Sequence, residues 1–110
     1  MNAGLPENQY EIYQTSRFKK AIRLLDDTAA GIVEDEIDKI IANPGIGEQK
    51  KGDLSYLWVH KFSMNNQQVL LGYSWVEDKF ELYLLSIGPH ENFYEKHKEA
   101  RKADLRLIVS

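Results

Sequence analysis

Apolar residues recur at two different spacings along this chain, and the change near residue 54 separates a helical first half from a strand-rich second half. Phe18, Ile22 and Leu25 repeat every three or four positions, and so do Ile32, Val33, Ile37, Ile40 and Ile41; this is the repeat of helices with one buried stripe. Ser16 and Thr28 are the expected N-caps, the Asp26-Asp27 pair is a tight link, and Pro44 after Asn43 ends the second helix. The Glu34-Asp35-Glu36 run is expected to face solvent. Before these helices, Tyr10 to Thr15 reads as a short strand after a loose polar terminus at residues 1–9.

Alternation takes over from Leu54 to Phe62, with Tyr56, Trp58, His60 and Phe62 on one face and Leu57, Val59 and Lys61 on the other. Gln68 to Val76 and Phe80 to Ile87 are two further strands, joined by turns at Met64 to Gln67 and Glu77 to Lys79. Turns this short demand antiparallel neighbours. Gly88 and Pro89 break the last strand. His90 to Lys102 then reads as a helix with His90, Phe93, Tyr94 and His97 on one face. The pattern leaves residues 103–110 open, as a frayed end or another short strand. The expectation is an α+β fold: a small antiparallel sheet of about four strands packed on an N-terminal helical hairpin, with a C-terminal helix.

A length of 110 residues supports a single domain. Hydrophobic residues at 43% and charged residues at 28% give an ordinary globular profile. No cysteine is present, which excludes disulfides, thiolate metal sites and a thiol nucleophile, and fits a reducing cytoplasmic setting. No apolar run is long enough to cross a bilayer, so no membrane partner is expected.

Net charge is −3, against the basic surplus usual for a protein that grips a phosphate backbone. The balance is uneven, with 5 basic and 9 acidic side chains in residues 1–49 against 9 and 8 in residues 50–110. Any phosphate-binding surface must come from the second half.

His60 and His90 are the sharpest chemical candidates. Two imidazoles that titrate near neutrality can divide the proton transfers of RNA cleavage, one taking the 2′-hydroxyl proton and the other protonating the departing 5′-oxygen. The plainer alternative is that His60 fills a mixed aromatic face and His90 caps the last helix. Lys50, Lys51 and Lys61 can neutralise phosphate, although a Lys-Lys pair in a loop with Gly45, Gly47 and Gly52 is common on any surface. Tyr94 can stack on a base or bond a phosphate, and equally can pack the last helix. Tyr56, Trp58, Tyr73 and Trp75 are more readily core than a stacking platform. His90 and His97 lack the spacing of a zinc helix, and the glycine loop lacks the flanking elements of a nucleotide cradle, so no metal and no cofactor are expected.

The order strand, helical hairpin, NPGIGEQKKGDL loop, three strands and GPHENFY helix resembles the RelE/ParE family of bacterial toxins from about Tyr10 to Lys102. The segments KKGDLSYLWVHKF and SIGPHENFY are its most specific parts. The resemblance implies a toxin of a type II toxin-antitoxin system, with a cognate antitoxin that wraps and blocks it in a hetero-oligomer. For RelE-like members it implies cleavage of mRNA on the ribosome, and for ParE-like members inhibition of DNA gyrase without catalysis. His90 and Tyr94 match the closing histidine and aromatic residue of the YafQ branch of ribosome-dependent nucleases, and His60 falls near that branch's strand histidine. His90 stands where RelE itself has an arginine. Under the nuclease reading His90, His60 and Tyr94 are catalytic and Lys50, Lys51 and Lys61 hold phosphate. Under the gyrase reading the outer face of the helical hairpin, with Arg17, Lys20 and Arg23, makes the contact. A degenerate toxin that retains only antitoxin binding is the third reading.

Overall fold

The computed structural model describes residues 10–109, so the loose terminus expected at residues 1–9 lies outside the described residues. Strand β1 (Glu11–Gln14) leads into helix α1 (Ser16–Arg23), and helix α2 (Asp27–Ala42) follows after a short link. Strand β2 (Glu48–Gln49) precedes the meander β3 (Trp58–Met64), β4 (Gln67–Val76) and β5 (Glu81–Gly88), and helix α3 (Phe93–Val109) closes the fold. The sheet order is β1-β5-β4-β3-β2.

This is the expected α+β architecture, with five strands instead of about four and with one parallel pairing. Strand β1 lies parallel to β5, Glu11 opposite Glu81 and Gln14 opposite Leu84. Strand β1 takes the free edge of β5, and the helical hairpin that follows it covers one face of the sheet. The two-residue β2 adds to the other edge, opposite Trp58 and Val59.

The helix starts differ from expectation by one or two residues. Thr15 caps α1, its Oγ1 accepting from the Phe18 N–H at 3.1 Å and donating to the Leu85 carbonyl at 2.6 Å. Asp26 caps α2 by accepting from the Ala29 N–H at 2.8 Å. In both cases the residue still in extended backbone makes the cap, which leaves Ser16 and Thr28 inside the helices. Between β3 and β4, Asn65 and Asn66 both hold positive φ, as a tight two-residue hairpin requires.

Two cores sandwich the sheet. Phe18, Ile40, Leu71, Tyr73, Leu82 and Leu84 join it to the helical hairpin, while Leu57, Val59, Leu70, Leu85, Phe93 and Ile108 join it to α3. Trp58 and Trp75 meet edge to face on the hairpin side at 5.7 Å and belong to that packing. Tyr56 precedes β3 instead of lying in it and packs on the α3 side, so it does not share a face with Trp58. The segment 103–110, left open by its pattern, continues α3 as far as Val109, because Asp104 and Ile108 recur on the stripe begun by Phe93 and His97.

Helix α3 approaches the sheet closely over Gly72. A Cβ there would lie 2.9 Å from His97 Nε2 and 3.1 Å from both Leu57 and Phe93. All three neighbours are buried. Gly72→Ala is therefore expected to destabilise the fold by about 1–3 kcal/mol, since a methyl group must be forced into a filled core. A urea midpoint unchanged from wild type would refute this close approach. Beside Gly72 the register slips: Gly72 pairs with Ser86 and Tyr73 with Leu84, so Leu85 is an extra residue in β5. The bulge turns both Leu85 and Ser86 toward α3.

Candidate functional site

Tyr73 fixes the loop that carries the lysines. Its hydroxyl donates to the Pro44 carbonyl and accepts from the Gly47 N–H at 3.0 Å, so the chain after α2 is pinned to the sheet just before β2. From there Glu48 and Lys50, two positions apart in extended chain, project to the same side. The Lys50 N–H donates to the Leu57 carbonyl at 2.9 Å, which holds the loop across its base.

Four side chains converge from these elements. Lys50 Nζ donates to Glu48 Oε1 at 2.9 Å and sits 5.1 Å from the centre of the Tyr94 ring. The His90 ring meets Tyr94 edge to face at 5.9 Å. Helix α3 begins at Phe93, so His90 belongs to the turn just before it, and the exposed imidazole is held over Tyr94. Lys61 and Lys51 also act on Glu48; hydrogen bonding and charge from Lys50, then the charges of Lys61 and Lys51, hold the Glu48 carboxyl below its ordinary range. Burial works to lower the Lys50 ammonium, but its bonds to Glu48 and Tyr94 outweigh burial and raise it. The cluster is one bare carboxylate among three lysines, flanked by an imidazole and a phenol.

His60 is elsewhere. It projects from β3 to the hairpin side and its Nε2 lies 2.7 Å from Glu36 Oε1, with both side chains nearly buried. Against a carboxylate, that nitrogen carries the proton. Burial pushes the Glu36 carboxyl up, and the bonds from His60 and Lys39 more than reverse it. Glu36 thus turns inward from the acidic run expected to face solvent, because a buried imidazole on β3 offers it a partner. His60 and His90 lie on opposite faces of the sheet. The structure brings together His90, Tyr94, Lys50 and the two other lysines, and supplies Glu48, which sequence reasoning passed over.

A cleft of about 340 Å3 borders the cluster, lined by Gly47, Glu48, His60 and Lys61 among others. The larger cleft, about 510 Å3, lies between α1, the end of β5 and α3, lined by Arg17, Ser86, Phe93, Lys96 and His97 among others. It is the rim of a buried polar network. Arg17 donates two hydrogen bonds to Asp104, at 2.9 and 2.8 Å, and His97 bonds Ser86 through Nε2 while its Nδ1 sits 3.8 Å from Asp104. Burial first, then the Arg17 charge, pull the His97 imidazole down to about 4 against the opposing pull of Asp104.

An unfolded histidine takes up its proton near 6.5, so between about 6.5 and about 4 the unfolded chain binds more protons than the fold. Stability is therefore expected to be full above that window and to fall as pH drops through it, by on the order of 3 kcal/mol. Urea midpoints at neutral and mildly acid pH check this, and a midpoint loss of the same size in His97→Gln would refute it. Among the described residues, no group of three or more histidine, aspartate or glutamate side chains is arranged to hold a metal ion. No described helix is long and apolar enough to cross a membrane.

The family model for the ParE-like toxin of type II bacterial toxin-antitoxin systems matches residues 12–98. The chain belongs to the ParE-like toxin family. Solved structures with the same fold include a mutant form of the E. coli toxin RelE in the free state, at 21% identity and a TM-score of 0.65, covering 86% of this chain and 96% of that one. The intact E. coli RelBE toxin-antitoxin complex matches at 20% identity and a TM-score of 0.60, over 74% of this toxin and 98% of that chain. The mutant RelE bound to a peptide of antitoxin RelBc matches at 21% identity and a TM-score of 0.58, over 83% and 93%. No curated protein matches this toxin by sequence.

Proposed function

We propose that this ParE-like toxin is a ribosome-dependent endoribonuclease that arrests translation by cutting mRNA without a metal. The observation that carries the reading is the convergence of a carboxylate, an imidazole, a phenol and three lysines on one edge of the sheet, since these are the groups that metal-free phosphodiester cleavage needs. A phosphate held by Lys50, Lys51 and Lys61 lies between Glu48 and His90. Glu48, kept ionised by the lysines, takes the proton of the 2′-hydroxyl as that oxygen attacks phosphorus. His90 delivers a proton to the departing 5′-oxygen, leaving a 2′,3′-cyclic phosphate and a free 5′-hydroxyl. Tyr94 orients His90 and Lys50, each of which it contacts. His60, tied to Glu36 on the other face, passes its expected share of the proton work to Glu48.

The partner is a cognate antitoxin, by the likeness to RelE structures bound to RelB and to a RelBc peptide. The toxin acts in the cytoplasm, where ribosomes and mRNA are. A gyrase-inhibiting reading is favoured only by the ParE-like family itself. Of the hairpin residues expected to serve it, Arg17 is tied to Asp104. Pulsed induction in cells, with labelled amino acids and labelled thymidine followed separately, tests the choice. Early collapse of protein synthesis with DNA synthesis intact is expected. Early collapse of DNA synthesis would overturn the nuclease in favour of gyrase, and normal synthesis of both would leave a degenerate toxin.

A further inference from the structure

Lys50 is already engaged before any phosphate arrives. Its ammonium is 2.9 Å from Glu48 Oε1 and packs over the Tyr94 ring, and its side chain is only 21% exposed, so it has little room to serve a second anion while the first is bound. Glu48 is the opposite, 67% exposed, on a two-residue strand at the sheet edge and free to swing away. Of the other two lysines, Lys61 lines the same small cleft as Glu48, and Lys51 follows Lys50 in the loop.

We propose that Glu48 is a built-in competitor for the phosphate site: its carboxylate occupies the anion position among Lys50, Lys51 and Lys61, and an RNA phosphate takes Lys50 only by displacing it. The inference rests on the reading of these lysines as the phosphate site. It deepens that reading, because displacement does two things at once. It frees Lys50 for the phosphate, and it frees the Glu48 carboxylate at the moment when a 2′-hydroxyl is next to it. Binding and the release of the base become one event, and a surface that would otherwise attract any polyanion is kept weak. Net charge points the same way, since an acidic chain with a self-neutralised lysine cluster has little non-specific pull on nucleic acid.

The competition predicts a split between binding and cleavage. A short single-stranded oligonucleotide with 2′-deoxy sugars cannot be cut by attack of a 2′-oxygen, so its binding by fluorescence anisotropy reads the phosphate site alone. Glu48→Gln is expected to bind it about three- to tenfold more tightly than wild type at low salt, the size of effect expected from removing one opposing exposed charge. Its salt dependence is expected to be steeper, because no bare carboxylate is left to take up a cation. Cleavage of mRNA on ribosomes by the same variant is expected to fall. Lys50→Gln should bind more weakly than wild type, and adding Glu48→Gln to it should restore little, because the lysine being contested is gone.

Equal affinity and equal salt slope for wild type and Glu48→Gln, with Lys50→Gln clearly weaker, would overturn the competition and leave the phosphate site standing. Binding indifferent to Lys50→Gln, or absent in both wild type and Glu48→Gln at the lowest salt, would overturn both.

Discussion

His90→Ala is expected to abolish growth arrest and to lower cleavage of ribosome-bound mRNA by between about a hundredfold and ten-thousandfold, the span usual for removing a positioned general acid. The imidazole is exposed and, among the described residues, Tyr94 is its one ring contact, so its loss should move stability by no more than about 0.5 kcal/mol. Circular dichroism and a urea midpoint close to wild type, together with loss of cleavage, would assign His90 to the chemistry. A folded His90→Ala protein with full toxicity would remove it. His60→Ala offers the contrast. It leaves Glu36 half-partnered beneath α2, so its main expected effect is on stability, with cleavage per folded molecule largely kept.

Arg17→Ala is the second large effect. Asp104 is 2% exposed, and both of its oxygens are bonded by the guanidinium. Removing the arginine leaves a buried carboxylate whose nearest remaining partner is His97 Nδ1 at 3.8 Å. Breaking such a pair from one side costs about 3–5 kcal/mol. Because the Arg17 side chain is 36% exposed and water can follow it in, the lower end of that range is expected. Against a total stability of roughly 5–15 kcal/mol this is a large fraction, and the melting temperature should drop by at least about 10 °C.

Two companion results would separate a lost charge partner from a lost side chain. Asp104→Asn in the Arg17→Ala background should recover part of the loss. The acid sensitivity described for His97 should flatten, since the arginine that pulls its imidazole down is gone while the aspartate that raises it remains. An Arg17→Ala protein within about 0.5 kcal/mol of wild type would show that the pair contributes nothing net.

The meander was the most legible part of the sequence. Alternation along β3 and β4, with Asn65-Asn66 between them, leaves one hairpin register open, because a slip by one residue would turn Leu71 and Tyr73 away from α2. The partnership of β1 was not legible, since four residues with no buried side chain carry no signal of which strand they join. The candidate site was half legible. The lysines and GPHENFY drew notice as residue types, but Glu48 passed as one more acid on an acidic half.

A signal was available for Glu48: Glu-x-Lys in extended chain puts both side chains on one side, where they must meet. The expectation that His60 shares a cleft with His90 missed a signal of another kind. Facing is set by the strand's alternation, which placed His60 beneath α2 from the start, while His90 approaches with α3 from the other side. Asp104 could have been found as a carboxylate on the stripe of Phe93, His97 and Ile108, a position that an acid can occupy only with a partner.

The strand order carries a consequence for how this molecule comes together in time. The three central strands are joined by the shortest turns and lose little chain entropy on pairing, so the meander is the expected nucleus. The pieces that make the site attach to opposite flanks of that nucleus. Glu48 and Lys50 arrive with a two-residue edge strand, while His90 and Tyr94 arrive with a helix whose clasp to α1 joins residues 87 positions apart. A partly folded chain therefore carries a formed sheet and no assembled candidate site. The two-residue edge strand is the more weakly held flank, so hydrogen exchange should find the Glu48 and Lys50 side of the candidate site opening before the side carried by α3.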